Sequence, residues 1–487
     1  MDINSNYLVN VFGTHDFINE LAKNGFSINL CVSNKITTLP ENINTKLLWN
    51  DAKSGDYSSI IISGNNRKYP FPLSEEDLQN FAEVERIFLK LADRLGFIES
   101  YQWRKDLYLK LLSTWIYIIK NSKVKFAIFE NLPHEGFDFI AYSVYKYFNI
   151  KCFCFYQMPI RPKKTYLLQL ITNIYNHGEL INFNKENNIK SNDYKSKFAG
   201  YLEISKNKSS NLISFTRKKN IDILNIKFIY SKYLHPLKKI YVESGIRKIL
   251  QLFIMKMGLG DPYITSIKKL NNISNQISIK PDLTKLFIYL PLHYQPELST
   301  SPLAKGFVDQ IVFINLIAHC AQKFNIHVYV KEHPRGGKAL GSRTIEFYKN
   351  INQIDNVSLI DKNSNSYELI DKCVCLASIS GTAGWEAVLR NKPVLMVGPR
   401  FYSEAPGVFK IHNADSCENA LNSIVNNEVN INSTETQLNE FLSFLSPCSI
   451  EGFIDRKDKK IATVSRLNSI KNQVNLISNY INLLKNV

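Results

Sequence analysis

A run of small and hydroxyl-bearing residues in the C-terminal half is suited to binding an anion. Residues 378–387 read SISGTAGWEA, where a buried apolar strand ends in Ser380, Gly381 and Thr382 just before a helix. Glycines such as Gly381 and Gly384 let a ligand approach the main chain, and the start of a helix attracts phosphate. Glu386, one turn on, is placed to accept hydrogen bonds from ribose hydroxyls. An ordinary turn with Ser380 or Thr382 as the helix N-cap explains this sequence equally well.

A second candidate binding loop reads KEHPRGG and spans residues 331–337. It follows a predicted strand at 326–331, and open α/β sheets bind ligands at the carboxyl ends of their strands. Lys331, the His333 imidazole and the Arg335 guanidinium are suited to phosphate oxygens. The alternative is a structural histidine in a surface loop.

Two further polar loops follow predicted strands of the same half. Tyr294 and Gln295 lie in PLHYQPE (291–297), where they are suited to contact a nucleotide base or an acceptor. Arg400 and Tyr402 lie in PRFY (399–402), where they are suited to close over a ligand. The alternatives are a loop stiffened by two prolines and two packed surface residues.

The elements that must position these loops alternate between strand and helix. The predicted strands are 27–33, 58–63, 124–130, 151–156, 286–290, 326–331, 357–360, 372–379 and 393–397. The predicted helices are 74–95, 103–120, 136–148, 167–176, 241–257, 307–324, 343–352, 366–371, 382–390, 415–427, 433–445 and 464–485. Strand–helix–strand at this spacing implies parallel sheets covered by helices. The predicted fold class is therefore α/β, with two Rossmann-like doubly wound domains, a basic helical insertion and C-terminal helices.

The positive charge is concentrated in one segment of the chain. The 487 residues carry a net charge of +17, and residues 151–280 alone carry +16. Such a segment attracts nucleic acid, an anionic membrane surface or phosphorylated substrates, or is simply a solvated surface. We place a polar excursion at 182–220 and a linker at 271–280. The predicted domains are 1–280, 281–430 and 431–487.

The eight cysteines and the apolar runs indicate the cellular compartment of the protein. The cysteines are scattered, and neither C-x-C pair has a second pair at zinc-site spacing, so they indicate small buried residues and a reducing compartment. The N-terminus lacks the features of a signal peptide, and no apolar run reaches the ~18 residues of a membrane span. We therefore expect a cytoplasmic protein.

The four C-terminal loops together resemble a known family. The run from Tyr289 to Gly407 is similar to the bacterial capsule polysaccharide biosynthesis family, which contains GT-B-fold glycosyltransferases, including Kdo transferases. The resemblance implies that His333 and the Ser380/Thr382 turn hold the donor phosphate and that Glu386 holds the ribose. It also implies an N-terminal acceptor domain, a C-terminal nucleotide-sugar domain and a last helix that packs back on the N-terminal domain.

The N-terminal half contains a loop similar to the acceptor-side loop of that family. Residues 130–138 read ENLPHEGFD, at the end of a predicted strand. Glycosyl transfer requires an imidazole or carboxylate base, or a carboxylate nucleophile if configuration is retained. His134, Glu135 and Asp138 are the candidates, although Glu135 or Asp138 is also suited to cap the next helix. Gln157 and Arg161, after the next strand, are suited to line the same cleft.

The function expected from these features is glycosyl transfer in capsule or lipopolysaccharide synthesis. The His-Pro motif and hydroxyl pair are similar to those of enzymes using CMP-activated acidic sugars, so CMP-Kdo is the first donor, with UDP- and GDP-sugars open. The acceptor is a glycan or a lipid-linked glycan. No D-x-D triplet occurs, so neither a metal nor another cofactor is expected.

Two other functions remain open. The same fold supports a sugar-nucleotide epimerase, which gives the basic segment no clear purpose. A non-catalytic protein binding RNA or a membrane surface is a different class, but the sequence contains no known nucleic-acid module, and nucleic acid is not an expected partner. The basic segment makes the inner face of the cell membrane a candidate location, through residues 217–219 and 238–248.

Overall fold

The strands form two separate sheets. The computed structural model describes residues 8–58, 70–92, 100–158, 166–199, 267–295, 297–333, 343–426, 435–455, 458–459 and 462–484. The strands in these ranges are β1 Leu8–Gly13, β2 Ser27–Ser33, β3 Thr45–Leu48, β4 Phe126–Phe129, β5 Lys151–Gln157, β6 Leu167–Ile171, β7 Phe287–Pro291, β8 His327–Lys331, β9 Val357–Ile360, β10 Cys375–Ser378, β11 Val394–Met396, β12 Val408–Lys410 and β13 Ser449–Glu451.

The first sheet has the order β13-β6-β5-β4-β1-β2-β3, and the second has the order β12-β11-β10-β7-β8-β9. Every pairing in the second sheet is parallel. In the first sheet, β6 pairs antiparallel with β5, and β13 pairs antiparallel with β6. Parallel strands bring their carboxyl ends, and the loops that follow them, to one edge of each sheet. The predicted fold class of two Rossmann-like α/β domains is confirmed.

Helices cover both sheets, which explains why the central strands are apolar over nearly their full length. In the described ranges the helices are α1 His15–Lys23, α2 Trp49–Ser54, α3 Glu75–Asn80, α4 Ala82–Leu91, α5 Tyr101–Lys120, α6 Phe137–Tyr147, α7 Glu179–Glu186, α8 Tyr194–Lys197, α9 Ile267–Ile277, α10 Gln310–Gln322, α11 Ile345–Asn352, α12 Ser366–Lys372, α13 Thr382–Leu389, α14 Ala414–Val425, α15 Glu435–Leu445 and α16 Arg466–Leu483. None of them is long and apolar enough to cross a bilayer.

Three predicted elements differ from the structure. The predicted helix at 167–176 is wrong: residues Leu167–Ile171 form the fully buried strand β6, because pairing with β5 and β13 overrides local helical preference. The predicted helix at 74–95 divides at Phe81 into α3 and α4. The predicted linker at 271–280 is wrong as well, since α9 continues to Ile277 and Ile279 bridges to Ile360 of the second sheet.

The end of the chain returns to the first sheet. Strand β13 completes the edge beside β6, and α16 packs against α1. Arg466, at the start of α16, donates hydrogen bonds to the Phe453 carbonyl (2.7 Å) and the Thr14 hydroxyl (3.0 Å) and pairs with the Glu130 carboxylate. The C-terminal residues therefore form part of the wall around the first sheet.

Several predictions fall outside the described residues. These are most of the strand at 58–63, the helix at 241–257, most of the polar excursion, Arg161, Arg335 and the basic clusters at 217–219 and 238–248. All eight cysteines are described, and all are buried and unpaired.

Candidate functional site

A cleft of about 220 Å³ opens at the carboxyl edge of the second sheet; we call it the C-terminal cleft. Five of the predicted donor-binding residues line it: Tyr294, His333, Gly381, Thr382 and Arg400. The other lining residues are Pro291, Leu292, His293, Glu297, Ser299 and Ala383. The loops after β7, β8, β10 and β11 thus meet at one place, as their positions in the sequence predict.

The turn between β10 and α13 has the geometry of an anion site. Gly381 is the N-cap of α13, and its N–H donates to the Ser378 hydroxyl at 2.9 Å. A Cβ at Gly381 would lie 2.7 Å from Cε1 of His293, so only glycine fits. Thr382 and Ala383, the first residues of α13, line the cleft, and the first N–H groups of a helix have no intrahelical acceptor.

His293 is a cleft residue that we did not single out from the sequence. Its Nε2 accepts hydrogen bonds from the main-chain N–H groups of Ile379 (3.2 Å) and Ser380 (3.4 Å). Burial, together with the nearby Arg400, His333 and Arg343, lowers the pKa of His293 to about 3. The ring is therefore neutral and carries its proton on Nδ1, on the other side of the ring from these two bonds. The sequence feature that could have identified His293 is its position two residues after the end of β7.

A buried ion pair fixes the loops after β7 and β8. Arg343 donates to the His293 carbonyl at 2.8 Å and to Oε2 of Glu332 at 3.3 Å, and it also donates to the side-chain oxygen of Gln295. Gln295 in turn donates to the Val308 carbonyl at 2.6 Å. Both ends of the Gln295 amide are thus used inside the protein, and Gln295 does not line the cleft. Arg343 lies outside every motif and gave no sequence signal.

Two predicted donor-binding residues lie beside the cleft rather than on its wall. The Lys331 ammonium donates to the Ser364 carbonyl (2.5 Å) and the Ser366 hydroxyl (2.7 Å). Burial lowers its pKa to about 8, while Asp361 and Glu386 favour its charged form. Burial raises the pKa of Glu386 to about 7, against the opposing effect of Arg390 and Lys331. Lys331 therefore lies against the residues that follow β9, and its charge and that of Glu386 favour each other.

Three other predicted residues hold the turn in place. The Ser380 hydroxyl donates to the Ser299 carbonyl at 2.8 Å, and Ser380 does not line the cleft. The hydroxyl of Tyr402 donates to the Gly381 carbonyl, and its ring packs so closely that a Cβ at Gly384 would lie 2.3 Å from that hydroxyl. Ser380 and Tyr402 are both fully buried, and their hydrogen bonds within the protein account for these side chains without a ligand.

Arg400 joins the cleft to the first sheet. Its guanidinium donates to the Ser380 carbonyl and to the hydroxyl of Tyr156, and it lies 5.3 Å from the centre of the Tyr156 ring. Tyr156 belongs to β5, and the next residue, Gln157, lines a cleft of the first sheet. A path of contacts therefore runs from Arg400 in the C-terminal cleft, through Tyr156, to Gln157 on the wall of the other cleft.

This second cleft, the N-terminal cleft, has a volume of about 510 Å³ at the carboxyl edge of the first sheet. It contains all three predicted catalytic residues, His134, Glu135 and Asp138. Its other described lining residues are Phe12, Trp49, Phe129, Asn131, Leu132, Gln157, Ile454, Asp455 and Asp458. Asp455 and Asp458 come from the returning C-terminal segment, and Asp458 accepts hydrogen bonds from Gln157 (2.9 Å) and Tyr166 (2.8 Å).

His134 has the geometry of a base. Its Nδ1 lies 2.5 Å from the Leu132 carbonyl, a contact that requires the proton on Nδ1 and leaves the lone pair of the neutral ring on Nε2. Nε2 lies 3.9 Å from the Glu135 carboxylate, which also pairs with Lys53. Glu135 is thus placed to stabilise the imidazolium that forms when Nε2 takes up a proton.

Asp138 has a different environment. It is buried at the start of α6, and its carboxylate accepts main-chain hydrogen bonds from Glu135 (2.7 Å) and His134 (3.2 Å). Burial raises its pKa to about 7, with a further contribution from the Glu135 charge. Its main contacts hold the loop before α6, whereas the N-cap Gly136 has no side-chain cap hydrogen bond, so neither Glu135 nor Asp138 caps the helix as the alternative interpretation supposed.

A third cleft of about 340 Å³ adjoins the N-terminal cleft; we call it the side cleft. Its lining residues are Phe12, Gly13, Thr14, Asn34, Leu48, Trp49, Asn50, Glu130, Asn131 and Ile454. None of its residues was predicted as a site residue. Within the described ranges, no group of three or more His, Cys, Asp or Glu side chains is arranged to hold a metal ion.

The sequence comparisons find a family model that matches part of the chain. Residues 307–428 match the model of a family described as capsule polysaccharide biosynthesis protein. The resemblance predicted from the C-terminal loops is thereby confirmed, over the segment from α10 to just beyond α14. No curated protein matches the chain.

Solved structures with the same kind of architecture overlap only loosely. UDP-GlcNAc 2-epimerase from Methanocaldococcus jannaschii is 12% identical, with 90% of this chain and 97% of that chain covered and a TM-score of 0.26. The Thermosulfurimonas dismutans KpsC β-Kdo 2,4-transferase is 10% identical, with 61% and 79% covered and a TM-score of 0.31. The Thermosulfurimonas dismutans KpsC β-Kdo 2,7-transferase is 14% identical, with 83% of this chain and 98% of that chain covered and a TM-score of 0.28. Overlaps of this size place no constraint on function.

Proposed function

We propose that this chain is a GT-B-type glycosyltransferase of surface polysaccharide synthesis. It binds a nucleotide-activated sugar in the C-terminal cleft and an acceptor hydroxyl in the N-terminal cleft. The observation that carries the proposal is the connection between the clefts. Arg400 lines the first and contacts Tyr156, while the adjacent Gln157 lines the second. Group transfer between two substrates requires that the two binding sites lie near each other, and this path of contacts supports such an arrangement.

The donor phosphate binds at the first turn of α13. Main-chain N–H groups there and the positive end of the helix attract the anion, and the guanidinium of Arg400 and the imidazoles of His293 and His333 surround it. These groups stabilise the charge that develops on the departing phosphate. Glu386, on the same helix, accepts hydrogen bonds from the ribose. Arg335 remains a further proposed phosphate ligand.

The acceptor is activated by His134. Nε2 removes the proton of the acceptor hydroxyl while the acceptor oxygen forms a bond to the anomeric carbon. The bond between that carbon and the phosphate oxygen breaks, and the phosphate leaves with the electron pair. Glu135 stabilises the imidazolium at 3.9 Å. We assign the base to His134 rather than Asp138, because both Asp138 oxygens already accept main-chain hydrogen bonds.

CMP-Kdo, or a related CMP-activated acidic sugar, is the first donor to test, with UDP- and GDP-sugars as competitors. The family match to capsule polysaccharide biosynthesis supports a glycan or lipid-linked glycan as acceptor. That acceptor and the basic segment support a location on the cytoplasmic face of the cell membrane. Charge reversal at 217–219 and 238–248 is then expected to reduce binding to anionic vesicles.

The first experiment measures nucleotide binding. Thermal stabilisation by CMP, UDP and GDP is recorded for the wild type, for His333→Ala and for His319→Ala, an exposed histidine on α10 that serves as the control. We expect one nucleotide to raise the melting temperature, His333→Ala to abolish the shift and His319→Ala to keep it. No response to any nucleotide, together with salt-sensitive RNA binding, would contradict the proposal.

The second experiment measures chemistry. A panel of nucleotide sugars is incubated with the protein and a membrane-glycan extract, and released nucleotide and new glycosidic products are quantified. His134→Ala is expected to lower turnover by about 10²- to 10⁴-fold while nucleotide binding stays unchanged. Conversion of a UDP-sugar to its epimer without an acceptor would instead identify an epimerase.

A further inference from the structure

We infer that the side cleft binds an uncharged sugar ring, namely the residue next to the reacting sugar of an oligosaccharide acceptor. The inference rests on the proposed function, which places the acceptor in the N-terminal cleft. It extends that function by giving the acceptor a minimum length of two sugars and a charge class for the second one.

The side cleft and the N-terminal cleft are continuous. Phe12, Trp49, Asn131 and Ile454 line both of them. The side cleft extends from this shared wall towards the ends of β1, β2 and β3. Its volume of about 340 Å³ falls within the range of about 300–1,000 Å³ that small-molecule sites have. A ligand whose reacting hydroxyl lies beside His134 therefore has space to continue past Trp49.

Two aromatic side chains, Trp49 and Phe12, form much of the apolar surface of the side cleft. Trp49 packs edge-on against Phe137, with 5.1 Å between ring centres, so its orientation is fixed. Phe12, which is fully buried, stacks on Phe129 at 4.4 Å and forms the floor. A rigid aromatic wall matches the flat C–H face of a pyranose ring and loses little conformational entropy on binding.

The polar groups that line the side cleft are mainly side-chain amides. The side-chain oxygen of Asn34 accepts a hydrogen bond from the His15 N–H (3.2 Å), and that of Asn131 accepts one from the Leu132 N–H (2.8 Å). These bonds orient each amide with its NH₂ group on the opposite side, as a donor for sugar hydroxyls. Asn50 adds a third, exposed amide.

The side cleft offers no unpaired cation to a charged ligand among the described residues that line it. Glu130 is the one ionisable residue among the described residues that line the side cleft. Its carboxylate accepts a hydrogen bond from the Thr14 N–H at 2.6 Å and pairs with Arg466, so its charge is already balanced. A carboxylate or phosphate on the ligand would lose its hydration here without gaining a cation. The C-terminal cleft differs, because the cationic side chain of Arg400 lines it.

The test compares sugars of different length and charge by saturation-transfer NMR. The panel contains the methyl glycosides of glucose, galactose and N-acetylglucosamine, then maltose, cellobiose, lactose and chitobiose, and the anionic digalacturonate. We expect at least one uncharged disaccharide to bind about tenfold more tightly than its methyl monosaccharide. Trp49→Ala and Asn50→Ala are expected to reduce that ratio towards one. Trp103→Ala, a half-exposed tryptophan on α5 that lines neither cleft, is the matched control and is expected to keep it.

Three results would overturn the inference. They are the absence of a length advantage across the whole panel, an advantage that Trp49→Ala and Asn50→Ala both leave intact, and preferential binding of digalacturonate that Trp49→Ala removes. Asn50 is exposed, so Asn50→Ala gives a result even if Trp49→Ala fails to fold. Nucleotide binding is measured in parallel. If no nucleotide binds while the disaccharide advantage persists, the proposed transferase is wrong but the sugar site stands.

Discussion

The guanidinium of Arg400 donates a hydrogen bond to the hydroxyl of Tyr156, and this contact joins the loop after β11 to strand β5 of the other sheet. Both residues are buried, and Arg400 also binds the Ser380 carbonyl of the β10–α13 turn. The turn that forms the anion site is therefore positioned partly by the first sheet.

Removing this contact is expected to destabilise the protein. Tyr156→Phe leaves a buried guanidinium with one partner fewer, which costs about 1–3 kcal/mol in the free energy of unfolding. The control is Tyr101→Phe, which removes an exposed hydroxyl and is expected to change stability by less than about 0.5 kcal/mol. Chemical denaturation measures both. Equal stability of Tyr156→Phe and wild type would show that the contact contributes nothing.

The buried His293 is expected to stabilise the anion-binding turn. His293→Ala removes the acceptor of the Ile379 and Ser380 N–H groups and leaves a cavity, so we expect a loss of about 2–4 kcal/mol. Nucleotide binding should weaken as well, because the turn loses its support. Denaturation and calorimetric titration test the two effects separately. His319→Ala provides the surface control, and a turn that binds nucleotide normally without His293 would refute this role.

Gly384 is expected to be required by the packing of Tyr402. A Cβ at Gly384 would lie 2.3 Å from the Tyr402 hydroxyl and 2.9 Å from the adjacent ring carbon. Gly384→Ala should therefore lower the free energy of unfolding by about 1–3 kcal/mol. Gly306→Ala is the matched control, because outside its chain neighbours and its own helical turn no atom lies within 4 Å of the added carbon. If the two variants unfold at the same denaturant concentration, Tyr402 does not constrain Gly384.

The affinity for a nucleotide sugar is expected to rise with pH below neutrality. The pKa of Glu386 is raised to about 7 by burial, so the carboxyl is mostly protonated at pH 5.5 and mostly ionised at pH 7.5. Only the ionised form accepts two ribose hydrogen bonds, which predicts a several-fold tighter binding at the higher pH. The ammonium of Lys331, with a pKa of about 8, remains mainly charged across this range.

Calorimetric titration with a nucleotide sugar tests this dependence, because its phosphate charge is constant between these pH values. Glu386→Gln should bind more weakly at pH 7.5 and show little change with pH. A wild-type affinity that falls between pH 5.5 and 7.5 would rule out the ribose role of Glu386.

Loop positions were predictable from the sequence wherever a strand and its following loop are adjacent in the chain. Parallel strands bring their carboxyl ends together, so His333, Gly381 and Arg400 were expected at one edge, and the structure places them there. The sequence did not predict which residues of a motif line the cleft and which bind other parts of the protein. Ser380 and Thr382 have the same chemistry, yet one hydroxyl binds the Ser299 carbonyl and the other residue lines the cleft.

Contacts between distant segments explain what the sequence did not reveal. Arg343 and Glu332 both lie in the connection after β8, but Arg343 also donates to Gln295 and to the His293 carbonyl of the loop after β7, and these contacts form only when the two loops fold together. Residues 167–171 have no local pattern that separates strand from helix, and β6 is fixed by partners at 154–157 and 449–451. Trp49 and Asn34 reach the side cleft from separate strand ends, in segments that carry no motif.

The return of β13 to the first sheet has a consequence for biosynthesis. Residues 8–171 emerge from the ribosome long before residues 449–451, so β6 remains an open sheet edge until nearly the whole chain has been made. The salt bridge from Glu130 to Arg466 likewise forms only after α16 has been synthesised. The first half of the protein therefore reaches its final structure only after the second half has been synthesised, and until then it carries an unpaired sheet edge of the kind that favours aggregation.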